Sequence, residues 1–456
     1  MLTGITTRAR TATRFRWTRQ RPIATHRVGP IVAASLIAGL VAALTLSLGL
    51  FPGKAEPVVS GVILLAFAAS WAAMALLSTR WTDQPQRWAA APAICMAVLG
   101  VGLIGLNPTT HTLSLLGWVW PTILVAGVVW MVVQARRQLH SHTRRWMLYP
   151  VFGALILASL GGGYETLRES LDRSAYAMPG QLIDVGGHRL HISCTGTGGP
   201  TVVLEAGFGG DTTSWAWVAP DVAHDTRVCV YDRAGVGWSE PVDGPQDGVA
   251  VATDLHTLLD RAHEPGPYVL VGHSLGGAFV LNFAARYPND VAGVVLLDSM
   301  HPEQYTRVPG YSTFYQGYRR VSTLFPSLAR LGVVRLAMQF QVGGLPADVR
   351  AESRAISSTA GVMSAQQSEW SMIPTTLTEA QAVTTLGDRP LMVVTAERGM
   401  QTGWMALQDN LAALSTNSVH RVIPDATHAA LLGDEASAAK SSQAIRDLVR
   451  VVRQTD

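Results

Sequence analysis

Tyr268-Val-Leu-Val-Gly-His-Ser-Leu-Gly-Gly277 decides the fold of this chain. Four apolar or aromatic residues, a run suited to a buried strand, lead into Gly272-His273-Ser274-Leu275-Gly276, a G-x-S-x-G pentapeptide. Such a pentapeptide serves a strand-to-helix turn so sharp that its Ser takes a strained backbone conformation. The flanking glycines let neighbouring backbone pass where a Cβ would clash, and the Ser hydroxyl stands exposed above the sheet. Residues 277–286 then carry helical spacing and meet no breaker until Pro288.

Working outward, residues 201–205, 227–231, 291–297 and 391–395 are continuous apolar runs like 268–271. Runs of that kind belong to parallel strands covered on both faces. Residues 181–185 and 188–194 instead alternate apolar and polar around Gly186-Gly187, the signature of a hairpin. Helical patterns fall between several strands, notably over 250–262. The second half of the chain is therefore expected to be an α/β domain with a doubly wound, mostly parallel sheet and an antiparallel start, covering 181–456.

The first half is of another kind. The whole chain has 456 residues, 48% hydrophobic and only 15% charged, an unusual balance for one soluble globule. Five uncharged apolar runs, at 31–50, 58–79, 89–106, 113–133 and 147–163, contain no Lys, Arg, Asp or Glu. Each such charge at a bilayer centre costs about 2.5–3.5 kcal/mol, and runs of this length match a hydrocarbon core about 30 Å thick. Residues 28–165 thus read as a membrane domain of about five transmembrane helices, and 166–180 as a linker.

Residues 1–27 form a basic tail with Arg8, Arg10, Arg14, Arg16, Arg19, Arg21 and Arg27 and no acid. The connections then carry Lys54 alone, Arg80 with Arg87, none, and Arg136, Arg137, Arg144 and Arg145. By the positive-inside rule the tail and the second and fourth connections are cytoplasmic, so an odd number of spans delivers the second half outside. The expected location is the cell membrane, multi-pass. The fifth span decides the side, being short, holding Pro150 and ending in three glycines. No span carries an ionisable residue of the sort that marks a transport pathway.

The net charge of +3 is small, and no basic face with interleaved aromatics is visible in the second half, which argues against nucleic acid as a partner. Cys95, Cys194 and Cys229 do not fall at metal-ligand spacing, so neither a zinc site nor a redox C-x-x-C is indicated, and no organic cofactor is expected.

From about 180 to 453 the chain resembles the α/β-hydrolase superfamily, in its lipase, esterase and aminopeptidase-like branch. Glu205-Ala-Gly-Phe-Gly-Gly210, Tyr231-Asp-Arg-Ala-Gly-Val-Gly-Trp-Ser239, the Gly272–Gly276 elbow and Thr427-His428 carry the resemblance, four motifs in family order. It implies Ser274 as nucleophile, with His428, after the last strand, as the base that takes its proton. The acid has two candidate places. Asp298, ending Val294-Val-Leu-Leu-Asp298, fills one; the other reads Ala396-Glu397-Arg398-Gly399, a Gly where the family has an Asp, leaving Glu397 as the substitute.

The resemblance also implies an oxyanion hole from the N–H groups of Leu275 and Phe208, with Ala206 where the family has a His. It implies a helical lid over about 301–389, rich in aromatics and suited to a small-molecule or lipid-like acyl substrate. Cys194 and Cys229 fall on strands that the family fold places side by side, which would permit a disulfide outside the cytoplasm. Dehalogenase or epoxide hydrolase chemistry needs an Asp at the elbow, where Ser274 stands. The function expected is a membrane-anchored serine hydrolase, most simply a carboxylic ester hydrolase; a peptidase or acyltransferase of the same fold, or a silent binding domain on a membrane scaffold, are the alternatives.

Overall fold

The computed structural model describes residues 28–139, 146–242, 244–340 and 344–455. The basic tail, with its seven arginines, and Arg144 and Arg145 lie outside the described residues.

Among the described residues the membrane-like half has six α-helices: α1 (Val28–Thr45, continued by a π turn to Leu50), α2 (Glu56–Trp81), α3 (Ala90–Leu106), α4 (Thr110–Leu116), α5 (Trp120–Gln138) and α6 (Tyr149–Ala175). Among the described residues three helical stretches, Val28–Leu50, Glu56–Trp81 and Arg87–Leu106, are long and apolar enough to cross a membrane. A fourth is added if α4 and α5, bent by 51°, form one span. Helix α6 is not one of these, so the count differs from the five expected. Its first half holds the fifth apolar run, but the same helix continues through Glu165, Arg168, Glu169, Asp172 and Arg173, so the expected linker is helical as far as Ala175. Helix α6 nevertheless packs along α5. Ser159 Oγ donates to Pro121 O at 2.7 Å, and Gly162 passes so close to Trp120 that a Cβ would sit 2.1 Å from its ring.

The second half is an eight-stranded sheet in the order β1-β2-β4-β3-β5-β6-β7-β8. The strands are β1 (Gln181–Asp184), β2 (Arg189–Thr195), β3 (Val202–Glu205), β4 (Val228–Tyr231), β5 (Tyr268–His273), β6 (Val291–Leu297), β7 (Leu391–Arg398) and β8 (Ser418–Thr427). β1 with β2 and β2 with β4 pair antiparallel; every later pairing is parallel. The apolar runs are buried because both faces are covered. One apolar core packs the sheet against helices Gly248–Arg261 and Leu275–Arg286, the other against Glu435–Thr455.

Cys194 and Cys229 lie directly opposite each other on β2 and β4 and are joined as a disulfide. Alkylation in denaturant without reductant is expected to modify Cys95 alone, and modification of Cys194 or Cys229 would contradict the bridge.

Between β6 and β7 the chain leaves the sheet for an insertion with six helices among the described residues, of which Tyr311–Ser322, Phe325–Arg330, Val333–Met338 and Ala360–Ala380 matter most here. This insertion rests on the membrane-like half. Arg330 pairs with Glu56, Ser327 Oγ lies 2.9 Å from Ser60 Oγ, Gly53 N donates to Thr323 Oγ1 at 2.7 Å, and Gln367 Nε2 donates to Lys54 O at 2.8 Å. Arg335 bridges Glu165 (2.6 Å) and Asp172 (2.7 Å) on α6. These partners lie on the 51–60 connection and start of α2 and on the second half of α6, and Arg330 also reaches Thr110 O and Ser114 Oγ of α4.

Candidate active site

The elbow has the backbone its sequence requires. Ser274 sits at φ 57°, ψ −123°, a region L residues rarely occupy, and its amide donates to Leu297 O of β6 at 3.1 Å. A Cβ at Gly276 would lie 2.3 Å from Glu205 O, and one at Gly272 would lie 2.6 Å from Gly276 C. The glycines are therefore fixed by close backbone approach, and Ser274 occupies the turn between β5 and the helix that begins at Leu275.

Asp298 follows β6 directly, itself at φ 44°. Its carboxylate is buried and fully engaged: Oδ2 accepts from His428 Nδ1 at 2.6 Å, and Oδ1 accepts from Trp404 Nε1 at 2.7 Å. A carboxylate can only accept, so the shared proton sits on His428 Nδ1 and leaves Nε2 with its lone pair free. Of the two acid candidates, only Asp298 reaches the imidazole; Glu397 is exposed near the end of β7. No hydrogen bond joins Ser274 Oγ to His428 among the described residues, an arrangement common before substrate tightens a site. His428 follows β8, which extends to Thr427, so it stands directly after the last strand.

The other histidines have separate work. His191 is buried between Asp232 Oδ2 (2.8 Å) and the Pro179 carbonyl; His188 pairs with Asp254; His301 Nδ1 accepts from Glu303 N. His273 of the elbow lies against His428. Its ring lies 4.6 Å from that of His428, centroid to centroid, and its Nε2 donates to the His428 carbonyl at 3.2 Å.

Burial, aided by the neighbouring His428, pushes the His273 pKa down to about 3, and burial pushes His301 down to about 4. A histidine whose folded pKa is depressed contributes stability above its unfolded pKa, near 6.5, and loses it as pH falls towards the folded value. The fold is therefore expected to lose stability progressively from about pH 6.5 downward. His273→Gln should flatten that slope in denaturant titrations at pH 7 and pH 4.5, and an unchanged slope would contradict the assignment.

The loop after β3 brings Gly207 against Ser274: a Cβ there would lie 3.0 Å from Ser274 Cβ. Neither Phe208 N–H nor Leu275 N–H donates to another protein group among the described residues, so both remain open beside Ser274. Beneath them lies a buried charged cluster that the sequence did not reveal. Arg233 donates to Glu205 Oε1 (2.5 Å), Glu369 Oε1 (2.6 Å), Ala206 O (2.8 Å) and Gly207 O (2.8 Å), with Phe279 below its guanidinium. Tyr231 Oη donates to Glu205 as well. Burial raises the Glu205 pKa to about 7 against the pull of Arg233.

Asp232 is structural: it accepts from Thr212 N (2.7 Å) and Trp238 N (3.0 Å), and a Cβ at Gly237 would collide with its carboxylate. Phe208 itself packs edge to face on Trp370 (5.0 Å) and Tyr318 (5.9 Å) of the insertion. The one His, Cys and acid group at ligand spacing among the described residues, Cys194, Cys229 and Glu264, has its sulfurs joined and its carboxylate on Arg227.

With this geometry in place, likeness to known proteins fixes the class. A family model described as the alpha/beta hydrolase fold matches residues 200–435, and the chain belongs to that family. An uncharacterized protein of Schizosaccharomyces pombe is 29% identical over 231 residues, 48% of this chain and 41% of that protein. A 2-hydroxy-6-oxo-2,4-heptadienoate hydrolase of Pseudomonas putida is 36% identical over 125 residues, 26% of this chain and 45% of that enzyme. The matches thus span less than half the length of either relative. The Cif epoxide hydrolase of Acinetobacter nosocomialis shares the fold, with a TM-score of 0.53 and 18% identity over 63% of this chain and 96% of its own.

Proposed function

We propose that this protein is a membrane-anchored serine hydrolase that cleaves an ester or related acyl bond through an acyl-enzyme. The observation that carries the reading is the Asp298–His428 hydrogen bond of 2.6 Å beside a Ser held at φ 57° on the elbow. Ser274 Oγ attacks the substrate carbonyl while His428 Nε2 takes its proton. Asp298 holds the imidazole in the tautomer that can do so and stabilises the imidazolium. The developing oxyanion is met by Leu275 N–H and Phe208 N–H. His428 then protonates the leaving group, and water, activated by the same His, releases the acyl group. A Ser at the elbow supports this chemistry over the Asp-based route of epoxide opening.

The aromatic group of Phe208, Tyr318 and Trp370 favours an apolar acyl or alcohol portion, a small molecule or a lipid. The end of the helix bundle that meets the insertion includes the connection with Lys54 alone, the side the arginine count assigns to the exterior, and the Cys194–Cys229 bridge suits the same compartment. The domain is accordingly proposed to work outside the cytoplasmic membrane. A fluorophosphonate probe tests the chemistry: labelling of the wild type that is lost in Ser274→Ala supports it, and an unlabelled wild type sinks it.

A further inference from the structure

We infer that Glu369, on the inserted helix Ala360–Ala380, is a positioning residue for the oxyanion hole. The inference rests on the serine hydrolase reading above. Its core is a planar peptide. The N–H of Phe208 and the carbonyl of Gly207 belong to one trans peptide unit, so fixing the carbonyl fixes the opposite direction of the N–H. That carbonyl accepts from Arg233 Nη2 at 2.8 Å and from Gly210 N at 3.0 Å.

Arg233 is in turn held by Glu369, whose Oε1 accepts from Nε at 2.6 Å, with both side chains buried. The second oxygen, Oε2, accepts from Gly209 N at 3.0 Å, and Gln366 of the same helix donates to Gly209 O at 3.3 Å. One carboxylate therefore grips the loop twice, directly at Gly209 and through Arg233 at the peptide that carries the oxyanion donor. Glu205 neutralises Arg233 from the other side, but it touches no atom of the 207–210 loop through a hydrogen bond among the described residues, so it cannot replace that grip. The helix bearing Glu369 is also seated on the membrane-like half, because Gln367 Nε2 donates to the Lys54 carbonyl.

The test uses the full chain in detergent with a p-nitrophenyl ester, and the number of sites is counted by exhaustive fluorophosphonate labelling of Ser274. Glu369→Gln loses the charge that orients Arg233. Glu369→Asp keeps the charge but is too short to reach Arg233 and Gly209 together. For both, kcat per labelled site is expected to fall about 10²-fold, the lower end of the cost of an oxyanion donor, with KM unchanged because ground-state binding is untouched. A merely structural Glu369 would lower the number of sites that label and leave kcat per site at the wild-type value. That result in Glu369→Asp, or in both variants, would overturn the inference while the serine hydrolase reading stands. A wild type that does not label would overturn both.

Discussion

Ser274→Ala is expected to lower kcat by about 10⁶-fold without loss of fold, because the nucleophile, the base and the acid act as one unit. Removing the hydroxyl takes away the acyl-enzyme and leaves only direct attack by water, with the oxyanion still met by the amides of Phe208 and Leu275. A second change, His428→Ala, should then cost little more, since the Ser proton that His428 takes is already gone. Strictly multiplicative losses would show that the two residues work independently and would break the mechanism proposed here. The elbow tolerates Ala poorly in principle, since φ 57° is strained for any residue with a Cβ. Ser already carries that strain, so the substitution adds none.

Asp298→Asn is expected to lower turnover by about 10⁴-fold, whereas Glu397→Gln should leave it close to wild type. An amide in place of the carboxylate can present its nitrogen to His428 Nδ1, which favours the tautomer with the proton on Nε2. That tautomer cannot accept the Ser proton. Trp404 sharpens the contrast, because its Nε1–H donates to Oδ1 and leaves Oδ2 aimed at the imidazole. Trp404→Phe should therefore show a milder form of the same defect. Activity that survives Asp298→Asn and disappears in Glu397→Gln would move the acid to β7.

Both acids were visible in the sequence, and only the fold separates them. Strand β6 ends beside β5 in register, with His273 opposite Leu297, so the residue after Leu297 emerges next to the elbow. Glu397 lies at the irregular end of the β7–β8 ladder and faces outward. The strands themselves were legible because parallel strands covered on both faces must be apolar throughout, and the Gly272 and Gly276 requirement is written in the pentapeptide.

What escaped the sequence is long-range polar pairing. Glu369 and Arg233 are 136 positions apart, and Glu205 reads there only as the end of a strand. No periodicity marks Trp404 as a partner of Asp298. The apolar run of helix α6 stops at Gly163, but the helix does not. Its charged second half is helical because Glu165 and Asp172, seven positions apart on one face, meet Arg335 from the insertion.

The most direct test of this account is a membrane-impermeant fluorophosphonate applied to intact cells, followed by mass spectrometry of the peptide containing Ser274. The account predicts a phosphonyl adduct on Ser274, absent in Ser274→Ala and suppressed in Asp298→Asn. An adduct that appears only after the cells are opened would place the domain on the cytoplasmic side, and no adduct on Ser274 under either condition would contradict the serine hydrolase assignment itself.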